Sequence, residues 1–189
     1  MTRYRTIVAD PPWTYRHDGN RIVTTANRPE THPALQYARM TLDDICALPV
    51  AEWADVNAHL YLWVTNPILP EAFRVMAAWG FDYVTLLTWR KLGTLGMGYY
   101  FRGDTKHVLF GIRGKAPIAA NLRARNWFAA PKTGHSRKPD LFYEMVERVS
   151  PGPRLELFAR RRRYGWDVWG NEAPEHGASQ AVLDLEGIA

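Results

Sequence analysis

Cysteine is almost missing from this chain. Cys46 is the only one in 189 residues, which excludes an internal disulfide and any cysteine-rich zinc site. No apolar run approaches the ~20 residues that a membrane-spanning helix requires, and no membrane partner is expected. Glycine-rich phosphate loops are missing too: neither the dinucleotide fingerprint nor a Walker loop with its lysine occurs. The histidines, among them His32, His59, His107, His135 and His176, are scattered without metal-ligand spacing. His17 adjoins Asp18, yet no serine or cysteine sits in a nucleophile elbow. Metal-dependent and covalent-hydrolase chemistry are left without a motif, and no metal is expected.

What is present is a basic chain of one-domain length. Hydrophobic residues make up 47% of it, a share usual for a globular core. The net charge of +5 is unevenly spread: no Lys or Arg follows Arg163, whereas Asp167, Glu172, Glu175, Asp184 and Glu186 do. Residues 1–163 therefore hold 24 basic and 14 acidic side chains, a net of +10. From Arg113 to Lys138 there are seven basic residues and no acidic one. Such clustering suits a polyanion, whose phosphates supply salt-dependent affinity; a merely solvated basic face is the plainer alternative. Arg3, Tyr4 and Arg5 lead into a strand almost at once, so no signal peptide is expected. A reducing, cytoplasmic setting is the default expectation.

The order of elements points to an α/β protein. Thr6-Ile7-Val8-Ala9 is a short apolar strand stopped by two prolines. A polar stretch from Thr14 to Met40 lacks periodicity and is too long for an ordinary connection. Thr41 precedes Asp43 and Asp44 as a helix N-cap would, with Ile45 and Leu48 turned inward. His59 to Thr65 has the near-continuous apolar run of a buried central strand. A helix is predicted from Pro70 to Trp79, and strands from Phe81 to Trp89 and Lys106 to Ile112, which could form a small antiparallel pair. Arg123, Arg125, Trp127 and Phe128 fall in a basic loop. Pro139 opens a helix with Leu141, Phe142, Met145, Val146 and Val149 along one face. Leu155 to Ala159 reads as the last clear strand. One domain is expected over residues 1–172, followed by a small, polar, acidic and poorly ordered tail over 173–189. Strands alternating with helices predict a sheet covered on both faces.

Asp10-Pro11-Pro12-Trp13 holds a carboxylate just beyond a strand's carboxyl end, with a large flat ring close behind. Open α/β sheets place their sites at such ends, although Asp-Pro-Pro can equally be an ordinary turn and Trp an ordinary core residue. Glu156 lies in a late strand, where a carboxylate could hold a ribose diol; the alternative is a solvent-facing strand residue. Lys138, just ahead of a predicted helix, could meet a carboxylate or a phosphate, or be a surface charge.

Five segments occur in one order: Asp10-Pro11-Pro12-Trp13, Leu62-Trp63-Val64-Thr65, His135-Ser136-Arg137-Lys138-Pro139-Asp140, Glu156-Leu157-Phe158-Ala159-Arg160 and Trp169-Gly170-Asn171-Glu172. Together they resemble the MT-A70 family of S-adenosylmethionine-dependent adenine-N6 methyltransferases, from about Thr6 to Glu172. The resemblance implies a Rossmann-like class I methyltransferase fold in circularly permuted (β-class) order. Its sheet would be mixed but mostly parallel, with helices on both faces. The Asp-Pro-Pro-Trp strand would come first and the strand carrying the ribose carboxylate late.

The same resemblance implies S-adenosylmethionine as cofactor, S-adenosylhomocysteine as product, and a catalytic group of Asp10, Pro11, Pro12 and Trp13. Asp10 and the Pro11 carbonyl would accept the two N6 hydrogens of adenine, aiming the nitrogen lone pair at the methyl carbon. Trp13 would stack on or flank the target ring, with Tyr37 opposite. Around the cofactor, Lys138 would meet the methionine carboxylate and Asp10 its amino group. Glu156 and Arg160 would lie near the ribose, and Asn171 with Glu172 near the adenosyl end. Arg123, Arg125, Arg137 and Arg162 are the candidate contacts to nucleic acid, DNA more than RNA, with Arg161 and Arg163 extending the basic surface. A dimer or a second subunit is a possible further partner. Lys106 is a departure, because many relatives carry an acid just before the histidine matched by His107. The other readings are an RNA adenine-N6 methyltransferase and a catalytically silent nucleic-acid-binding subunit.

Overall fold

The computed structural model describes residues 2–13, 40–96, 100–115, 118, 124–132 and 137–170. Their elements run β1 (Tyr4–Ala9), α1 (Leu42–Ala47), α2 (Val50–Trp53), β2 (Ala54–Val64), a 3-10 turn (Asn66–Ile68), α3 (Leu69–Ala78), β3 (Asp82–Leu92), β4 (Thr105–Arg113), β5 (Trp127–Pro131), α4 (Asp140–Val149), β6 (Arg154–Leu157) and β7 (Trp166–Trp169). The strands form one seven-stranded sheet in the order β5-β3-β4-β2-β1-β6-β7. β4 alone runs antiparallel, against both β2 and β3; every other pairing is parallel. The mixed, mostly parallel sheet of a Rossmann-like methyltransferase is therefore present.

The alternation of side chains along β1 and β2 divides the core in two. Ile7, Ala9, Leu60, Leu62 and Val64 pack with Ile45 of α1, Trp53 of α2 and Ala72, Val75 and Met76 of α3. Val8, Tyr61 and Trp63 face the other way, against Phe142, Tyr143 and Val146 of α4. Both faces of β2 are thus covered, which is why its sequence reads as one apolar run. No helix among the described residues is long and apolar enough to cross a membrane.

Local signals explain several element boundaries. Thr41 caps α1 through its hydroxyl, which accepts the Asp44 N–H, while the Asp44 carboxylate reaches back to the Thr41 N–H in a capping box. α3 is capped by Trp79 and followed by Gly80, whose φ of +76° suits a residue without Cβ. The Phe81 N–H then returns to the Met76 carbonyl at 3.1 Å, satisfying one of the helix's last carbonyls.

Three expectations need correction. Trp127 and Phe128 are not loop but open β5, which adds to β3 in parallel; the strand is five residues long and begins in a polar, basic context that hides it. The strand read over Leu155 to Ala159 is β6, which spans Arg154–Leu157, and it is not the last, because β7 adds to it. Leu141 lies 45% exposed rather than on the buried face of α4, where Tyr143 is inside instead. The pair near residues 83–90 and 106–112 does form, but within the main sheet rather than beside it. The polar stretch 14–39 and the acidic tail lie outside the described residues.

Candidate active site

β1 is flanked by β2 on one side and β6 on the other, and chain connections depart from these strands in opposite directions. That reversal leaves a crevice at the carboxyl ends of β1 and β6. Asp10 follows β1 there, and Glu156, in register with Val8, approaches from β6. Both stand on the α4 side, because they continue the alternation set by Val8 and by Leu155 and Leu157 on the opposite face.

Asp10 is held between two ammonium groups. Lys106 Nζ, from the start of β4, is 2.9 Å from Oδ1, and Lys138 Nζ donates to Oδ2. Lys138 precedes α4, so helix and strand fix the pair across 128 residues of sequence. Burial alone would raise the Asp10 carboxyl, but the two lysines outweigh it and hold the group at about 2. Burial pulls Lys138 the other way, down to about 7 against the attraction of Asp10. Beneath them lies Trp63, with Lys106 at 5.4 Å and Lys138 at 5.1 Å from its ring centroid. Lys106 reaches Asp10 by crossing β2 over this ring, since β4, β2 and β1 are successive strands.

Glu156 forms the opposite wall. Tyr143 of α4 donates its hydroxyl to Oε1 at 2.5 Å, and Oε2 is buried with no hydrogen-bond partner among the described residues. Desolvation raises the carboxyl, while the Tyr143 hydrogen bond and the charge of Lys138 oppose that rise. A buried acceptor left unsatisfied costs free energy until something donates to it. A ribose hydroxyl is a donor that fits, and an α-amino acid's carboxylate and ammonium fit the Lys138–Asp10 pair. The residues present therefore suit S-adenosylmethionine.

The turn after β6 is tightly built. Phe158 adopts φ +61°, its ring packs edge-on against Trp169, and the Ala159 N–H reaches the Trp169 carbonyl at 3.1 Å. A Cβ on Gly170 would lie 2.8 Å from the Ala159 nitrogen, so only glycine lets β7 close on this turn. Arg160 follows, half-buried. Asn171 and Glu172 lie outside the described residues, as do Tyr37 and Arg123.

The remaining candidates separate. The Pro11 carbonyl already accepts the Trp13 N–H at 2.8 Å, which leaves it one lone pair, and the Pro12 carbonyl accepts the Met40 N–H. Trp13 is 6% exposed, packs in the α1–α3 core and donates Nε1 to the Trp63 carbonyl at 3.1 Å. Its indole therefore anchors the Asp-Pro-Pro turn to β2 instead of offering a free stacking face. Arg161 and Arg163 are likewise not free basic surface. Arg161 pairs with Asp140, Arg163 grips Glu147 through Nε and Nη2 at 2.6 and 2.9 Å, and both lie over the Tyr143 ring. Arg162 is partly buried, and its Nε has no partner among the described residues. Arg137 is exposed at the head of α4. Arg125 stacks over exposed Trp127 beside β5, four strands from β1, or ~19 Å at the usual strand spacing.

Sequence reasoning missed the roles of Lys106, Trp63 and Tyr143. Tyr143 carried one signal, a polar tip beside Phe142 in an otherwise apolar stripe. Lys106 showed only as a departure from the family pattern; its reach to Asp10 depends on how β4 pairs.

By sheet order and by the position of this crevice, the protein has the Rossmann-like methyltransferase fold. Residues 4–172 match the MT-A70 family, and the chain belongs to that family of adenine-N6 methyltransferases. It is 28% identical over 186 residues to the type II methyltransferase M.MunI of Mycoplasma sp., covering 92% of this chain and 79% of that protein. It is 29% identical over 182 residues to a putative N(6)-adenosine-methyltransferase MT-A70-like protein of Medicago truncatula, of which it spans 27%. With the N(6)-adenosine-methyltransferase catalytic subunit METTL3 of Homo sapiens the identity is 27% over 182 residues, 91% of this chain and 28% of that one. The chain therefore spans about a quarter of the length of these two larger relatives.

Proposed function

We propose that this protein transfers a methyl group from S-adenosylmethionine to the N6 amino group of adenine in nucleic acid, with DNA the favoured polymer. The observation that carries the reading is the Asp10 carboxylate, kept ionised at the switch-point crevice that it shares with a buried Glu156 oxygen for which no described residue supplies a donor. The cofactor supplies an electrophilic methyl on its sulfonium. Lys138 would bind its carboxylate, Asp10 its ammonium and Glu156 Oε2 its ribose, with Arg160, Asn171 and Glu172 completing the site.

Toward the substrate, Asp10 acts as a hydrogen-bond acceptor. The adenine amino lone pair is delocalised into the ring, and an acceptor on an N6 hydrogen favours the pyramidal nitrogen that can attack. A carboxylate held at about 2 is too weak a base to remove that proton beforehand. The proton instead leaves after transfer, when the methylated nitrogen is cationic and strongly acidic, and water can accept it. Positioning and electrostatics carry the catalysis, with no covalent enzyme intermediate. Trp13 and Trp63 act through Asp10, as its anchor and floor.

DNA is favoured because the type II methyltransferase is matched over most of its own length. The test is methyl transfer to single-stranded DNA, duplex DNA and RNA in parallel, read as N6-methyladenine in the digested polymer. DNA methylation at the higher kcat/KM is expected, and single strands spare the cost of extruding the base. Preference for RNA would overturn the choice of polymer. A silent-subunit role would be favoured if nucleic acid bound while cofactor failed to raise the thermal midpoint.

A further inference from the structure

The lysine at residue 106 is not needed to neutralise Asp10, because Lys138 already does so from the other oxygen. It nevertheless spans β2 to place its ammonium 2.9 Å from Oδ1, and of the two lysines it is the more exposed, at 17% against 5%. Lys138 precedes α4 and is almost wholly enclosed, whereas Lys106, on β4, keeps more of its side chain open to solvent. An ammonium has three hydrogens. One is spent on Asp10, the Trp63 ring lies below, and the ammonium has no second acceptor among the described residues.

We propose that Lys106 is a base-recognition residue that donates to a ring nitrogen flanking the amino group, N1 or N7, while Asp10 accepts from the amino group itself. The inference rests on the adenine-methyltransferase reading and deepens it. Carboxylate and ammonium side by side present an acceptor next to a donor. An aminopurine presents the complement, an N–H donor next to a ring-nitrogen acceptor. A keto base reverses the first member of that pair and would turn a carbonyl oxygen toward the Asp10 carboxylate, leaving buried polar groups unmatched. Lys106 thus ties selection of an amino base to the residue that activates it. Its position on β4 is fixed from both sides, by β2 through His107 opposite Val64 and by β3 through Trp89.

The test uses an oligonucleotide that the wild-type protein methylates, with its target adenine replaced by 1-deazaadenine or 7-deazaadenine. Both analogues keep the amino group and each removes one flanking acceptor. Wild-type protein should lose roughly tenfold to a hundredfold in kcat/KM on one of them, as for a hydrogen bond to a charged donor. Lys106→Met should be slower on adenine yet show no further loss on that analogue, and Lys106→Arg should restore part of the difference. Unchanged thermal midpoints with S-adenosylhomocysteine will show that both variants fold and bind cofactor. An equal analogue penalty in wild type and Lys106→Met, or none in wild type, would overturn the inference and leave Lys106 as a clamp on Asp10. Wild-type failure on unmodified adenine would instead defeat the methyltransferase reading, and this inference with it.

Discussion

Each Asp10 oxygen faces its own lysine, so removing the carboxylate would leave two ammonium groups turned toward one vacant position. Asp10→Ala should lower methyl transfer by about 10³-fold or more, the scale of losing a preorganised group at the reacting atom. It should also cost about 3–5 kcal/mol of stability without unfolding the sheet, and kcat measured beside far-UV circular dichroism separates the two effects. Unchanged kcat would remove Asp10 from the site. The pH dependence has a definite sign. Asp10 has a lowered folded value, so its contribution to stability is complete above about pH 4 and is lost as pH falls through about 2. Lys138 is lowered to about 7, so the protein alone loses that charge as pH rises past neutrality. Affinity for S-adenosylhomocysteine, titrated calorimetrically, should fall between pH 7 and 9; an affinity that rises there would contradict the carboxylate role of Lys138. At this scale the motif residues Asp10, Lys138 and Glu156 were legible in the sequence. Lys106 was visible only as a departure, since an ion pair 96 residues apart leaves no local signal.

Among the elements, the turn from β6 and the end of β7 matter most to the site. Gly170→Ala would drive a Cβ against the backbone of Phe158 and Ala159 at 2.8–3.0 Å, where no flexible side chain can yield. The variant should lower the thermal midpoint and weaken cofactor binding together, because the same turn carries Glu156 toward Arg160. Retained affinity would show that the turn tolerates displacement. Thr41 and its capping box, Gly80 after α3 and the apolar run of β2 were readable because each follows from local chemistry. β5 and β7 were not. They are four or five residues long and lie at the two edges of the sheet, where only pairing with a neighbour makes them strands. Trp13 belongs here as well: its size suggested a stacking ring, yet the Trp63 carbonyl claims its N–H and the core claims its faces.

For the whole molecule, the uneven charge predicts how it meets its polymer. Binding to an oligonucleotide should weaken more than tenfold between 50 and 200 mM salt if about six or more phosphates are engaged, as fluorescence anisotropy would report. A salt-independent affinity would mean that the basic excess of residues 1–163 is only a solvated surface. The net charge already counts Asp140 and Glu147, but the ion pairs they form with Arg161 and Arg163 do reduce how many of the 24 basic side chains can turn to phosphate.

By itself the sequence determined the α/β class, the central strand, the capped helices and the order of five motifs. These rest on periodicity, breakers and residue identity, which act within a few positions of one another. Tertiary structure alone decided which side chains meet. It set β1 between β2 and β6, so that Asp10 and Glu156 share a crevice across almost 150 positions, and it carried Lys106 over Trp63 to the same carboxylate. Strand order and register create those contacts, and they depend on packing both faces of one sheet at once.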